Sequence, residues 1–266
     1  MPLAVCATPI GNLEDVTLRV LAELRAADLV LAEDTRHTRL LLDRHGIEAR
    51  LLSLHEHNEA ARVGEVLPLL EAGERVALVS DAGMPLVSDP GARLVRAAIE
   101  AGAEVTVLPG PSAVETALVL SGHGGGGYAF VGFLPRRPGE LAGLWRSLRG
   151  RGMPAVAFES PQRLPATLRS LAEADPEWPV AVCRELTKRF EEVVRGPARE
   201  VADRFAEPPR GEVTLVLGAV EAPAEHEDAA AAVTELVAAG TPRRVAADVV
   251  ARLTGAPRNA LYRTNL

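Results

Sequence analysis

Short apolar runs rich in Leu and Val alternate along this chain with stretches whose apolar positions recur every three or four residues. Residues 3–7, 29–32, 51–54, 75–80 and 104–108 read as buried strands. Between them, 16–26, 38–44 and 58–72 have helical spacing; in the first of these the apolar positions are Val16, Val20, Leu21 and Leu24. A further helix opens at Ser88-Asp89-Pro90-Gly91, where Asp89 suits the N-cap and Pro90 the first helical position. This alternation predicts an α/β fold with a mostly parallel sheet and helices on both faces.

The pattern then breaks and resumes. Pro109-Gly110-Pro111-Ser112 is a turn, and Ser112 with Glu115 three residues on predicts a capping box for a helix through Leu120. Gly122-His123-Gly124-Gly125-Gly126-Gly127 reads as a flexible loop. A domain boundary placed here gives α/β domains of 1–111 and 112–220. In the second, 128–134, 155–159, 180–183, 192–194 and 213–217 are strand-like, and 140–148 and 163–174 are helical. The runs around Cys183 and Val193 are close enough to pair as a hairpin, so this sheet is expected to be mixed. Residues 221–228 form an acidic linker. Beyond it, three short helices are expected, punctuated by Gly240-Thr241-Pro242 and Gly255-Ala256-Pro257, so 221–266 is a linker with a small helical appendage.

Composition adds exclusions. Hydrophobic content of 47% with 24% charged residues excludes a disordered or collagen-like chain. No apolar run approaches the roughly 18 residues of a membrane span. The opening Met1-Pro2-Leu3-Ala4-Val5-Cys6 lacks the charged start of a signal peptide. Cys6 and Cys183 both lie in apolar runs, which predicts reduced, buried thiols and a cytoplasmic protein.

The net charge of −7 taken alone argues against nucleic acid. Its distribution says otherwise. Residues 134–152 hold five Arg (136, 137, 146, 149, 151) against Glu140, and 240–266 hold five (243, 244, 252, 258, 263) against Asp248. Each segment is +4, so the remainder carries −15. Such segregation suits contact with an RNA backbone, or two solvated helix faces.

In parallel α/β sheets, ligands bind beyond the carboxyl ends of the strands. Those ends carry Thr8-Pro9-Ile10-Gly11-Asn12, Glu33-Asp34-Thr35-Arg36-His37, His55-Glu56-His57-Asn58, Ser80-Asp81-Ala82-Gly83-Met84-Pro85 and Pro109-Gly110-Pro111-Ser112. Together they predict one polar, Gly/Pro-rich rim. Bland alternatives stand beside each: Ser112 as a helix cap, Asp81 as a turn brace. His55 and His57 have no evident third ligand, so no metal is expected. No G-x-G-x-x-G, H-E-x-x-H or G-x-S-x-G pattern is present. Lys188 is the one Lys beside 28 Arg, so it is either a chance survivor or a place that needs a compact amine.

Several blocks carry a family resemblance. They are Thr8-Pro9-Ile10-Gly11-Asn12-Leu13, Ala32-Glu33-Asp34-Thr35-Arg36, His55-Glu56-His57-Asn58-Glu59, Ser80-Asp81-Ala82-Gly83 through Asp89-Pro90-Gly91, Pro109-Gly110-Pro111-Ser112-Ala113, Gly132-Phe133-Leu134-Pro135-Arg136, Glu159-Ser160-Pro161 and Arg184-Glu185-Leu186-Thr187-Lys188. With a terminal Leu261-Tyr262-Arg263, they run in order over nearly the whole chain. The sequence resembles the ribosomal RNA small subunit methyltransferase I family of tetrapyrrole-methylase-like S-adenosylmethionine enzymes.

The resemblance implies two α/β domains with S-adenosylmethionine in the cleft between them, a homodimer, and methylation of a cytidine 2′-hydroxyl in the decoding region of 16S ribosomal RNA within the small subunit. Carried over, the donor contacts become Ile10, Asp81, Gly83, Met84, Ser112 and Ala113, with Phe158 and Glu212 placed by order along the chain. A ribose hydroxyl needs a base to become a nucleophile. The candidates are Lys188, Glu33, His55 and Glu185, with Lys188 expected to be made less basic by burial or neighbouring Arg. Arg36, Arg136, Arg137 and Arg163 are the expected RNA contacts. The competing readings are a small-molecule tetrapyrrole methylase and a non-catalytic assembly factor that binds ribosomal RNA.

Overall fold

The computed structural model describes residues 3–220 and 225–254, together with 256, 258 and 261. The first half holds strands β1 (Leu3–Cys6), β2 (Leu29–Ala32), β3 (Leu51–Ser53), β4 (Val76–Val79) and β5 (Val105–Leu108). Helices α1 (Leu18–Ala26), α2 (Thr35–Arg44), α3 (Glu59–Glu71) and α4 (Ala92–Glu100) connect them. The strands form one sheet in the order β3-β2-β4-β1-β5, and every pair is parallel. β1, β2 and β4 are buried at every position. One face packs Ala4, Val30 and Ala77 against α1 and α2, and the other packs Val5, Leu31 and Leu78 against α3 and α4. Because the strands are parallel, all five carboxyl ends reach the same edge.

Helix α5 (Ala113–Ser121) leads into the second half. There β6 (Ala129–Phe133), β7 (Ala155–Glu159), β8 (Pro179–Arg184), β9 (Glu192–Pro197) and β10 (Val213–Leu217) form a sheet in the order β6-β7-β10-β8-β9. Only β6 and β7 are parallel; β7–β10, β10–β8 and the β8–β9 hairpin are antiparallel. Helices α6 (Pro138–Arg149), α7 (Leu164–Ala174) and α8 (Ala198–Arg204) cover one face, where Trp145 and Trp178 are buried. α5 covers the other, packing Val114, Ala117 and Leu118 on Val156, Ala181, Cys183 and Val216. Ile10, from the loop after β1, joins that second-half cluster and stitches the halves together. Helices α9 (Glu225–Ala238) and α10 (Arg243–Thr254) pack on each other through Val233, Ala246, Ala247 and Val250. Among the described residues no helix is long and apolar enough to cross a membrane. Cys6 and Cys183 are free and buried.

Four local expectations are corrected or limited. The helix expected to open at Asp89 starts at Ala92, capped by Gly91 in a left-handed conformation (φ 120°). A Cβ there would lie 2.7 Å from Leu78, so the chain turns where only glycine fits. The buried carboxylate of Glu59 accepts the N–H groups of Gly91 and Arg93 (3.1 and 2.8 Å), doing the work expected of Asp89. Ser112 stands at the N-cap of α5 but makes no side-chain cap bond; its hydroxyl donates to the Glu115 carboxylate instead. Helix α8 was not expected: seven residues are too few for a periodic signal, although Val201 and Ala202 are buried on its inner face. The 221–224 part of the acidic linker, most of the third C-terminal helix, and Tyr262 and Arg263 lie outside the described residues.

Candidate active site

The two halves enclose a cleft of about 600 Å³. Ile10, Glu33, Asp81, Gly83, Met84, Asp89, Ser112 and Ala113 line its first-half wall. Phe133, Phe158, Glu159, Cys183, Leu186, Gly211, Glu212 and Thr214 line the wall opposite. All eight expected donor contacts lie on the cleft. Of the four expected bases, only Glu33 does.

The first-half wall is braced through its backbone. Thr8 and Gly83 exchange hydrogen bonds at 2.8 and 3.0 Å, joining the loops after β1 and β4. Asp81 Oδ1 accepts the N–H of Asp34 at 3.0 Å, which holds the loop after β2 against them. Gly83 has φ 81°, a left-handed turn that brings the backbone to the cleft surface. Three carboxylates then face one another. Burial pushes Glu33 above the usual carboxylate range, and Asp81 and Asp34 add repulsion. Burial, with repulsion from Glu33 and Asp81, pushes Asp89 up to about 7 despite its bond with Ser80. No Arg, Lys or His side chain is among the residues that line this wall.

Behind the opposite wall, bonded to Glu212, sits the chain's single lysine. Lys188 Nζ donates to Glu212 Oε2 at 2.8 Å and to Glu185 Oε1 at 3.0 Å. Burial pulls the amine down, but the bonds to Glu212 and Glu185 outweigh it and the net shift is upward. This corrects the expectation of a less basic Lys188. Even an unshifted lysine costs about 5 kcal/mol to deprotonate at pH 7, and the two carboxylates hold Lys188 as an ammonium in this arrangement. Burial pushes Glu185 up, yet the Glu212 N–H (3.0 Å) and Lys188 hold it below its ordinary value. Its carboxylate is committed to that network.

Glycines make the triad possible. A Cβ on Gly11 would lie 2.5 Å from Lys188 Cγ and 2.7 Å from Thr187 Oγ1. A Cβ on Gly211 would lie 2.4 Å from the Glu185 side chain. Thr187 also accepts the Asn12 N–H at 3.0 Å, and both Glu185 (φ 51°) and Thr187 (φ 62°) are left-handed. The Lys188 loop is therefore a strained segment clamped onto the loop after β1.

The remaining candidates divide. His55 sits behind Glu33, near enough to draw that carboxyl back down, and its buried Nδ1 has no partner among the described residues. The His55 and His57 rings are 6.0 Å apart. Among the described residues no group of three or more His, Cys, Asp or Glu could hold a metal ion. Arg163, expected on RNA, turns inward: its Nε donates to the buried Glu159 carboxylate (2.8 Å) and its Nη2 to the Leu134 carbonyl (2.8 Å). Arg36 is exposed but forked onto Asp34 (2.6 and 3.1 Å). Arg137 pairs with Glu140 at 3.1 Å, and Arg149 with Asp175 at 3.0 Å. Arg136, Arg146 and Arg151 are exposed and make no ion pair among the described residues. On α10, Arg244 and Arg252 are likewise exposed and unpaired, whereas the Asp248 carboxylate holds Arg258. No sequence pattern assigns Phe133, Cys183 or Thr214 to the cleft, and Asp89 reads from sequence only as a helix cap.

Comparisons with known proteins fix the family. Residues 2–202 match the model of the Tetrapyrrole (Corrin/Porphyrin) Methylases, and 223–266 match the RsmI C-terminal HTH domain. A protein of Thermotoga maritima called "Ribosomal RNA small subunit methyltransferase I" is 46% identical over 220 residues, covering 82% of this chain and 99% of its own. The like-named protein of Mesorhizobium japonicum is 44% identical over 98% of this chain and 90% of its own. The chain belongs to the ribosomal RNA small subunit methyltransferase I family. Among solved structures, the methyltransferase CobJ aligns with a TM-score of 0.64 at 20% identity, covering 82% of this chain and 94% of its own. Uroporphyrin-III-C-methyltransferase from Thermus thermophilus aligns at 0.59 and 21%, with the same coverage. At that identity the likeness is one of fold.

Proposed function

We propose that this protein transfers the methyl group of S-adenosylmethionine to the 2′-hydroxyl of a cytidine ribose in the decoding region of 16S ribosomal RNA. Membership of the family makes it an S-adenosylmethionine-dependent methyltransferase of small-subunit ribosomal RNA.

One observation carries the donor site: a cleft of ligand size whose first-half wall gathers Glu33, Asp81 and Asp89 with no Arg, Lys or His among its lining residues. The donor is a sulfonium with an ammonium at its amino-acid end, so it suits that wall. Ile10 and Met84 supply apolar surface, and Gly83 lets the backbone approach. Ser112 and Ala113 sit at the start of α5, and Phe158 and Glu212 close the far side. When bound, the donor supplies an electrophilic methyl group.

The protein's own work is alignment and proton removal. Holding the ribose oxygen in line with the methyl group supplies most of the acceleration. Glu33 is the candidate that lines the cleft, with a carboxyl raised above its ordinary value, so it accepts the 2′-hydroxyl proton. Lys188 acts as an ammonium, pinning Glu185 and Glu212.

The free guanidiniums Arg136, Arg146 and Arg151, with Arg244 and Arg252 on α10, meet the RNA backbone. The chain is divided into α/β domains of 1–111 and 112–220 and a 221–266 module. Edge strand β5, with Val107 half exposed, is the kind of edge a second copy covers in a homodimer. A cytoplasmic location follows from the substrate.

The test is transfer of label from methyl-labelled donor. Label is expected in the RNA of small ribosomal subunits and not in free tetrapyrroles. Label in a tetrapyrrole would overturn the substrate assignment, and label in neither would overturn catalysis.

A further inference from the structure

Nine aromatic side chains from Phe, Tyr and Trp are all this chain has. Most of its large apolar side chains are buried, yet Phe133 is 63% exposed and lines the cleft. Among the cleft's lining residues, only Val87 (37%) joins it as an exposed large apolar side chain. The two come from opposite halves, so they flank the cleft mouth.

The backbone is built to put Phe133 there. Ala129 and Phe130 pair with Ala155 and Val156 in regular parallel register. Continued, that register would set Gly132 beside Phe158. Instead Phe133 stands there, one residue further on. The extra residue is a bulge, with Gly132 left-handed at φ 67°. In an unbroken strand Phe130 and Phe133 would point to opposite faces. The bulge turns both onto Phe158, at ring separations of 5.1 and 5.6 Å and interplanar angles of 68° and 60°. One face of this aromatic cluster is left to solvent at Phe133.

The facing segment is also held in an uncommon conformation. Leu86 (φ 73°) and Ser88 (φ 71°) are left-handed without being glycine, and Val87 lies between them. Ser88 Oγ is 3.6 Å from the position a Cβ on Gly132 would take, so the strained segment and the bulge meet. Three residues beyond Phe133, Arg136 is exposed and without an ion pair among the described residues.

We propose that Phe133 and Val87 form a nucleobase slot at the cleft mouth, in which a pyrimidine lifted out of its RNA strand stacks on the Phe133 ring while Arg136 holds an adjacent phosphate. Enzymes that modify a nucleotide enclosed in folded RNA draw it out and hold its base between aromatic and apolar side chains. A ribose methylase needs this for a geometric reason, since a base clamped at the mouth sets how far its ribose reaches inward. The inference rests on the RNA-methylation reading above and names the substrate part that the second half binds.

The experiment compares wild type with Phe133→Ala, Phe133→Leu and Phe133→Tyr. It measures methylation of small ribosomal subunits at saturating donor, donor binding by calorimetry, and melting temperature. Phe133→Ala and Phe133→Leu are expected to lower kcat/KM for the subunit about 10- to 100-fold, as loss of one base stack does. Donor Kd and melting temperature should stay near wild type, and Phe133→Tyr should restore kcat/KM to within about threefold. Rescue by Leu as full as by Tyr would show packing rather than stacking and would overturn the slot. So would a loss of donor affinity in Phe133→Ala, which would place the ring in the donor site. If wild type labels the subunit and Phe133→Ala labels it equally well, the slot falls while the function stands. If wild type labels no ribosomal RNA, the function itself falls.

Discussion

The first sheet runs all five strands one way, and the second runs only β6 and β7 in parallel. Both walls of the cleft come from loops at strand ends, but the two sheets supply them differently. In the parallel sheet every loop that follows a strand arrives at one edge, so sequence order alone collects Ile10, Glu33, Asp81 and Ser112. In the mixed sheet alternate ends face opposite ways. Phe158 and Glu159 reach the cleft from the end of β7, Cys183 from the end of β8, and Val213 and Thr214 from the start of β10. The first half thus gives the cleft Glu33, Asp81 and Asp89, and the second gives it aromatic surface and Glu212, which Lys188 holds from outside the cleft lining.

The largest effect should separate chemistry from charge on the first wall. Glu33→Gln keeps the shape and removes the proton acceptor. Turnover should fall about 10²- to 10⁴-fold, the usual worth of a general base, with donor affinity close to wild type. Single-turnover methylation with calorimetry checks both, and a fall below tenfold would pass the role to another group.

Next is the seam between the walls. Gly11→Ala would drive a Cβ into Lys188, Thr187 and the Leu186 carbonyl. Overpacking of this kind costs about 1–3 kcal/mol. A lower melting temperature, with reduced activity at temperatures where the protein stays folded, is the expected outcome. An unchanged protein would mean that the Lys188 loop is free to move and the halves are not clamped.

A smaller effect follows from Asp89, whose carboxyl titrates at about 7. It is mostly protonated at pH 6 and mostly ionised at pH 8. A cationic donor favours the ionised form, so donor binding should strengthen up to about tenfold across that interval. Asp89→Asn should flatten the profile. Stability runs the other way in the free protein. The folded carboxyl sits above its unfolded value of 3.8, so its contribution is full below that value and is lost as pH rises through about 7. Calorimetry and melting curves between pH 5 and 9 read both signs.

The smallest effect concerns the free arginines. Arg136→Ala should weaken binding to small subunits a few-fold and lower the salt slope by about one. The same change at Arg163 should act through stability, because Arg163 is bonded to Glu159 and Leu134. An equal salt slope for the two variants would remove the distinction drawn between them.

The sequence was most legible where a side chain's role follows from its place along the strand order. Strand alternation predicted both sheets and the β8–β9 hairpin, and the strand ends predicted one polar, Gly/Pro-rich rim. What it concealed depends on contacts across the fold. Nothing local shows that Glu59 would cap α4 and leave Asp89 in the cleft. Lys188 was conspicuous as the only lysine, but its charge state depends on Glu212, 24 residues away. Phe133 stood inside a recognised motif, yet its exposure comes from a one-residue bulge that periodicity cannot register. The net charge of −7 misled because it averaged Arg-rich segments with an acidic wall.

The most direct test of the account is to locate the transferred methyl group. Small ribosomal subunits methylated by this protein would be digested to nucleosides and analysed by mass spectrometry. One 2′-O-methylcytidine per 16S ribosomal RNA is expected, formed about 10²- to 10⁴-fold more slowly with Glu33→Gln. A methyl group on a base, or on another nucleoside, would contradict it.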